Sequence, residues 1–196
     1  MPVNSVTTDA RRAQIIDAAT IVIAEGGYAQ ASFARIAAAA GLSSTRFISY
    51  HFANKSDLMS AVVANVLESI GAFVGNRVSS QATAAAMLRM YIESVVGFID
   101  GHRAQMVALA EIMLGAGFDD GMAGDRRATS ELESILNFGQ QAGEFRDFDP
   151  IVMATTVQRS VDGLPFALRA DPAIDCASYA RELVSIFELA TARPQR

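Results

Sequence analysis

The densest run of hydrogen-bonding side chains in this sequence is Ser43-Ser44-Thr45-Arg46, followed by Ser49, Tyr50 and His51, with Lys55 four residues later. Arg46 can offer a forked guanidinium to a guanine edge or a phosphate, and the hydroxyls can meet phosphates or base edges. Lys55 can pair with a phosphate as a point charge. Ser32 and Arg35 lie just upstream and can join the same surface. Side chains of this kind on one short helix suit nucleic acid, although they equally keep an exposed helix soluble.

Catalysis finds less support. Cys176 is the single cysteine and has no evident histidine partner, while Ser43-Ser44 and Ser79-Ser80 sit in no nucleophile-elbow pattern. His51 and His102 are far apart in sequence, which argues against a two-histidine metal site. Asp119, Asp120 and Asp125 fall in the glycine-rich stretch GAGFDDGMAGD, which lacks calcium-loop spacing and reads as a solvated loop. The expectation is no enzyme, no catalytic residue, no metal site and no cofactor.

The elements that must position the polar run read as helices throughout. Residues 1–7 lack periodicity and read as a loose arm. A first helix from about Thr8 to Glu25 carries Ile15, Ala18, Ala19, Val22 and Ile23 at spacings of three and four, and Gly26-Gly27 ends it. Ser32 caps a second helix over about 33–40. Gly41 supplies the turn, Leu42 plugs the core, and Ser43 caps a third helix over about 44–50, with Phe47 and Ile48 as apolar anchors. Two short helices joined in this way are the layout of a helix-turn-helix, whose second helix enters a DNA major groove. Asn54 and Asp57 then open a long helix over about 55–79.

Composition permits this reading. The 196 residues are 51% hydrophobic, enough for a core, and no uninterrupted apolar run reaches the roughly 18 residues of a membrane helix. The polar N-terminus does not read as a signal peptide, and one cysteine excludes an intrachain disulfide framework; a cytoplasmic protein without membrane association is expected. The net charge of -5 opposes DNA binding taken alone. However, residues 1–60 carry five basic side chains (Arg11, Arg12, Arg35, Arg46, Lys55) against four acidic ones (Asp9, Asp17, Glu25, Asp57), so the acidic excess lies elsewhere.

Residues 11–59 resemble the DNA-binding domain of the TetR family of transcriptional regulators. The resemblance rests on Ile15-Ile16-Asp17-Ala18-Ala19, Glu25-Gly26-Gly27-Tyr28, Phe33-Ala34-Arg35-Ile36-Ala37, Ala40-Gly41-Leu42-Ser43 and Tyr50-His51-Phe52-Ala53-Asn54-Lys55, in that order. It implies an all-α fold, in which an N-terminal three-helix domain (8–54) is joined by a long helix to a body (55–192) that binds an effector and dimerises. It further implies a repressor of double-stranded operator DNA, released by a small ligand. Ser32, Ser43, Ser44, Thr45, Arg46, Tyr50, His51 and Lys55 fall on positions that face DNA in the family. One departure is visible: Ser49 stands where many members have a tyrosine, and Gly41 to Phe52 is one residue longer. The phosphate contact of that tyrosine passes to Tyr50 or is absent.

The body reads as helices over about 82–99, 102–114, 122–143, 149–168 and 173–192. Met87, Met90, Tyr91, Val95, Phe98, Met106, Leu109, Met113, Phe138 and Val157 are candidates to line a largely apolar effector pocket, since methionine adapts to varied apolar shapes. Phe118, Leu164 and Phe166 are further apolar candidates. The plain alternative is that these residues simply fill the core. Glu93, Glu111, Gln158, Arg159 and Asp162 are polar groups that could orient a ligand. The last two helices offer Met153, Val157, Val161, Leu164, Tyr179, Leu183, Ile186 and Phe187 for a homodimer, and pairing them with their mates makes a four-helix interface. The competing functional reading is a helical ligand-sensing or protein-interaction module with little DNA affinity.

Overall fold

The structure, a computed structural model, describes the backbone of residues 3–116 and 120–194 and the side chains of residues 8–115 and 126–194. The chain forms α1 (Val3–Gly26), a 3-10 turn (Tyr28–Gln30), α2 (Phe33–Ala39), α3 (Arg46–His51), α4 (Lys55–Val78) and α5 (Ala84–Gly101). There follow α6 (Arg103–Ala116), α7 (Asp120–Gln141), α8 (Pro150–Asp162), α9 (Leu164–Ala170) and α10 (Cys176–Thr191). Among the described residues strand geometry is confined to an isolated bridge between Phe145 and Ala192. The fold is all-α. The expectations for Phe118 and Asp119, and for the side chains of Asp120 and Asp125, lie outside the described residues.

The chain divides into two compact units, Met1–Leu67 with Arg103–Gly121, and Glu68–His102 with Met122–Arg196. The division does not follow chain order, because α6 packs on α1 and on the 3-10 turn. In the first unit α1 buries Ile15, Ile16, Ala18, Ala19 and Ile23, and Thr20 Oγ1 donates to its own helix at Ile16 O. Gly27 at φ 78° and Gly41 at φ 65° make the two sharp exits that side chains penalise. In the second unit α5 packs against α10, α8 and α9.

Capping explains most boundaries. Ser32 Oγ accepts from Arg35 N at the start of α2. Asn54 Oδ1 accepts from Asp57 N while Asp57 Oδ2 accepts from Ala53 N, a reciprocal box that starts α4. Thr83 Oγ1 and both Glu144 carboxylate oxygens take the first amides of α5. Asp149, followed by Pro150, caps α8, and Asp175 caps α10.

Several boundaries differ from the sequence reading. Residues 3–7, expected to be a loose arm, belong to α1. The single helix expected over 149–168 is two, because Pro165 lacks an amide and its ring crowds the carbonyl four residues earlier; α8 stops at Asp162 and α9 restarts after Gly163. The α3 helix begins at Arg46, and Ser44 rather than Ser43 accepts its amide. By length and composition α4 is apolar enough to cross a bilayer, although Asn65, Glu68 and Ser69 divide its apolar residues into short runs. Leu58, Met59, Val62, Val63, Val66 and Val74 are buried, so part of that apolarity serves the protein's own core.

Candidate nucleic-acid interface

The α3 helix is anchored by one side. Ile48 and Phe52 are wholly buried, His51 is half-buried, and Arg46, Phe47, Ser49 and Tyr50 are exposed. At 100° per residue those four form one outward fan with Tyr50 at its centre. Tyr50 is 79% exposed, and its ring meets His51 edge-on at 5.1 Å, so Tyr50 faces outward and His51 lies beneath it. Phe47 was expected as an apolar anchor; it is 46% exposed because the helix phase gives the inward positions to Ile48 and Phe52.

Around this fan, α1 contributes two arginines that the sequence reading did not assign to DNA. The Arg11 guanidinium lies 6.0 Å from the Phe47 ring centre, and that of Arg12 lies 5.1 Å from Phe52. Arg11 Nη1 donates to Gln14 Oε1 at 2.8 Å, and Gln14 Nε2 donates to Ala40 O at 2.7 Å. This polar string fastens α1 to the end of α2. The Arg-Arg pair was legible in the sequence, but only the packing of α1 beside α3 reveals its place.

The remaining predicted residues separate by role. Ser43 and Thr45 are exposed in the turn, Thr45 at the N-cap position of α3, and half-buried Ser44 accepts the first amide of the helix from Arg46. Ser32 is exposed but caps α2, while the Arg35 guanidinium reaches toward Gly26, where a cation suits the α1 C-terminus. Lys55 turns inward. Its ammonium donates to Tyr28 O at 2.7 Å and sits 4.2 Å from the Tyr28 ring centre, and burial lowers its pKa from the ordinary lysine value. Glu111 of α6 accepts from Tyr28 N at 3.4 Å.

The ten pocket candidates are split between the units. Met106 and Leu109, both buried, and exposed Met113 belong to the first unit. In the second unit Tyr91, Val95, Phe98 and Val157 are buried, Met87 and Met90 are half-buried, and Phe138 is exposed. Tyr91 OH donates to Gln158 Oε1 at 2.5 Å, Gln158 Nε2 donates to Asp162 Oδ1 at 2.8 Å, and Arg159 pairs with Asp162. Ser94 Oγ, one turn beyond Tyr91, is buried with no hydrogen-bond partner among the described residues. Sequence reasoning passed over Ser94 because a serine in an apolar helix carries no signal of its own.

The dimer candidates divide as well. Val157, Val161, Leu164 and Phe187 are buried within the protomer, so they serve its own core and cannot face a partner. Met153, Tyr179 and Leu183 are half-buried, and Tyr179 OH donates to Ser160 O. Ile186 is exposed, and so are Leu189 on α10 and Ile151 and Val152 on α8. Leu189 and Val152 were missed because each helix carries two apolar stripes, and the sequence does not say which turns inward. Among the described residues no cluster of His, Cys, Asp or Glu could hold a metal ion.

Residues 15–62 match the profile of the bacterial regulatory proteins of the tetR family. No curated protein sequence matches the chain. Among solved structures, FadR from Bacillus subtilis in complex with stearoyl-CoA superposes with a TM-score of 0.77 at 23% identity, covering 88% of this chain and 95% of that one. The fatty acid degradation regulator FadR from Bacillus halodurans gives 0.79 at 21% identity, covering 90% and 93%. AibR, in complex with isovaleryl coenzyme A and operator DNA, gives 0.75 at 21% identity, covering 90% and 97%.

Proposed function

We propose that this chain, which carries the N-terminal region of the tetR family of bacterial regulatory proteins at residues 15–62, is a ligand-responsive, sequence-specific DNA-binding regulator. The observation that carries the reading is the outward fan of α3, in which Arg46, Ser49 and Tyr50 stand exposed on a helix pinned by Ile48 and Phe52. Arg46 reads a base edge or grips a phosphate, and Tyr50 takes the phosphate contact that Ser49 cannot reach. Residues 8–54 serve as the DNA-binding domain and residues 55–192 as the effector-binding and dimerisation domain. The protein acts in the cytoplasm as a repressor, not as an enzyme.

A homodimer through α8 and α10 sets the two recognition helices on successive major grooves. A small, largely apolar ligand releases the operator. Buried Ser94 Oγ, beside the Tyr91–Gln158 pair, gives such a ligand a polar group to meet. Acyl-coenzyme A thioesters are the first effectors to screen, since the Bacillus subtilis FadR and AibR structures contain them.

The test is selection of binding sites from randomised duplex DNA by the full-length protein, with Arg46→Ala beside it at fixed salt. Enrichment of a two-fold-symmetric site, weakened about tenfold or more by the substitution, supports the reading. Folded dimers that enrich nothing would overturn it and favour a ligand-sensing module without DNA affinity.

A further inference from the structure

We infer that Phe47 is a base-reading residue, and that its ring recognises the 5-methyl group of a thymine in the major groove. The inference rests on the DNA-binding reading above and goes further by naming the base feature that is read. Two of the four outward side chains of α3, Phe47 and Tyr50, are aromatic, and the helix RFISYH contains no acidic residue. A half-exposed phenylalanine contributes little to the core, which Ile48 and Phe52 already fill. It sits beside Arg46, so a duplex that engages the guanidinium also meets the ring. In the major groove the apolar feature presented by a base pair is the thymine methyl, and phenylalanine is one of the side chains that contacts it.

The ring is also fixed in advance. The Arg11 guanidinium lies 6.0 Å from the ring centre and is itself tied through Gln14 to Ala40 O, while the Phe47 side chain stays exposed. A cation over an aromatic ring suits a DNA surface, because the same guanidinium supplies positive charge beside the phosphates. Arg11 is therefore a positioning residue for Phe47. Association of two copies of the chain through this face is the competing occupant, but the arginines at 11, 12 and 46 would then be brought together, and like charges oppose it.

The test uses full-length protein and the duplex that the wild type selects. Thymines in each half-site are replaced one at a time by uracil, which removes only the methyl group. At one position per half-site the replacement is expected to weaken the wild type about fourfold, the value of roughly one buried methyl, and to leave Phe47→Ala unaffected. Phe47→Leu, which keeps an apolar tip, retains part of the penalty, and thermal melting of both variants checks that they fold. Uracil penalties that are the same in all three proteins would overturn the inference and leave the regulator reading intact. Failure of the wild type to select any sequence sinks both.

Discussion

The ring of Tyr28 is seated directly on Gly115. A Cβ placed on that glycine would lie 2.5 Å from Tyr28 Cδ1 and 2.8 Å from Cγ, far inside any real contact. Glycine at this position therefore lets α6 approach the 3-10 turn, while Glu111 one turn earlier accepts the Tyr28 amide. Lys55 completes the arrangement at the same ring.

Gly115→Ala should accordingly push the ring off its seat. Overpacking of this kind costs about 1–3 kcal/mol, and each kcal/mol lowers the melting temperature by about 2–4 °C in a chain of this length. The measurement is thermal unfolding of the single variant and of Gly115→Ala in a Tyr28→Ala background. The alanine penalty shrinks once the ring is gone; an unchanged penalty would mean that the cost comes from α6 alone.

Lys55 shows where residue type and position mislead. A lysine opening the helix after a DNA-reading segment suggests a phosphate contact, yet its ammonium is committed to Tyr28 O and the Tyr28 ring. Lys55→Met is expected to cost about 1–2 kcal/mol of stability through the lost hydrogen bond and cation–π contact. The slope of operator affinity against salt should stay the same. A slope shallower by about one contact would restore Lys55 to the phosphate-binding set.

The helices were legible because their caps are written into the sequence. Ser32, Asn54 with Asp57, and Asp149 with Pro150 each mark a start that the structure keeps. The break at Gly163 was hidden because the apolar spacing of Val157, Val161 and Leu164 runs through it, and only the chemistry of Pro165 interrupts the backbone. The phase of a short helix was equally unreadable: Phe47 and Ile48 are both large and apolar, and the packing of α1 decides which turns inward. Tertiary contacts distant in sequence, such as Arg11 with Phe47 and Glu111 with Tyr28, leave no local trace.

In the second unit, Tyr91→Phe removes the hydroxyl that donates to Gln158 Oε1 inside the apolar interior. Withdrawing that donor from a buried acceptor costs about 1–3 kcal/mol. Denaturant unfolding of Tyr91→Phe, Gln158→Leu and the double variant measures the coupling between them. The double variant is expected to be less destabilised than the sum of the two single ones; strict additivity would show that the pair contributes nothing jointly.

Leu189 is 79% exposed and Ile186 is 53% exposed, although Val184 and Phe187 of the same helix are buried in the protomer. α10 is thus apolar on a second face, and exposed Ile151 and Val152 give α8 one as well. Leu189→Glu places a charge on that face without touching the protomer core, so the subunit should fold while the homodimer dissociates. Sedimentation is expected to report a monomer at concentrations where the wild type is dimeric. Because two linked recognition helices bind far more tightly than one, operator affinity should fall about a hundredfold or more. A variant that remains dimeric with full operator affinity would exclude the α10 face from the interface.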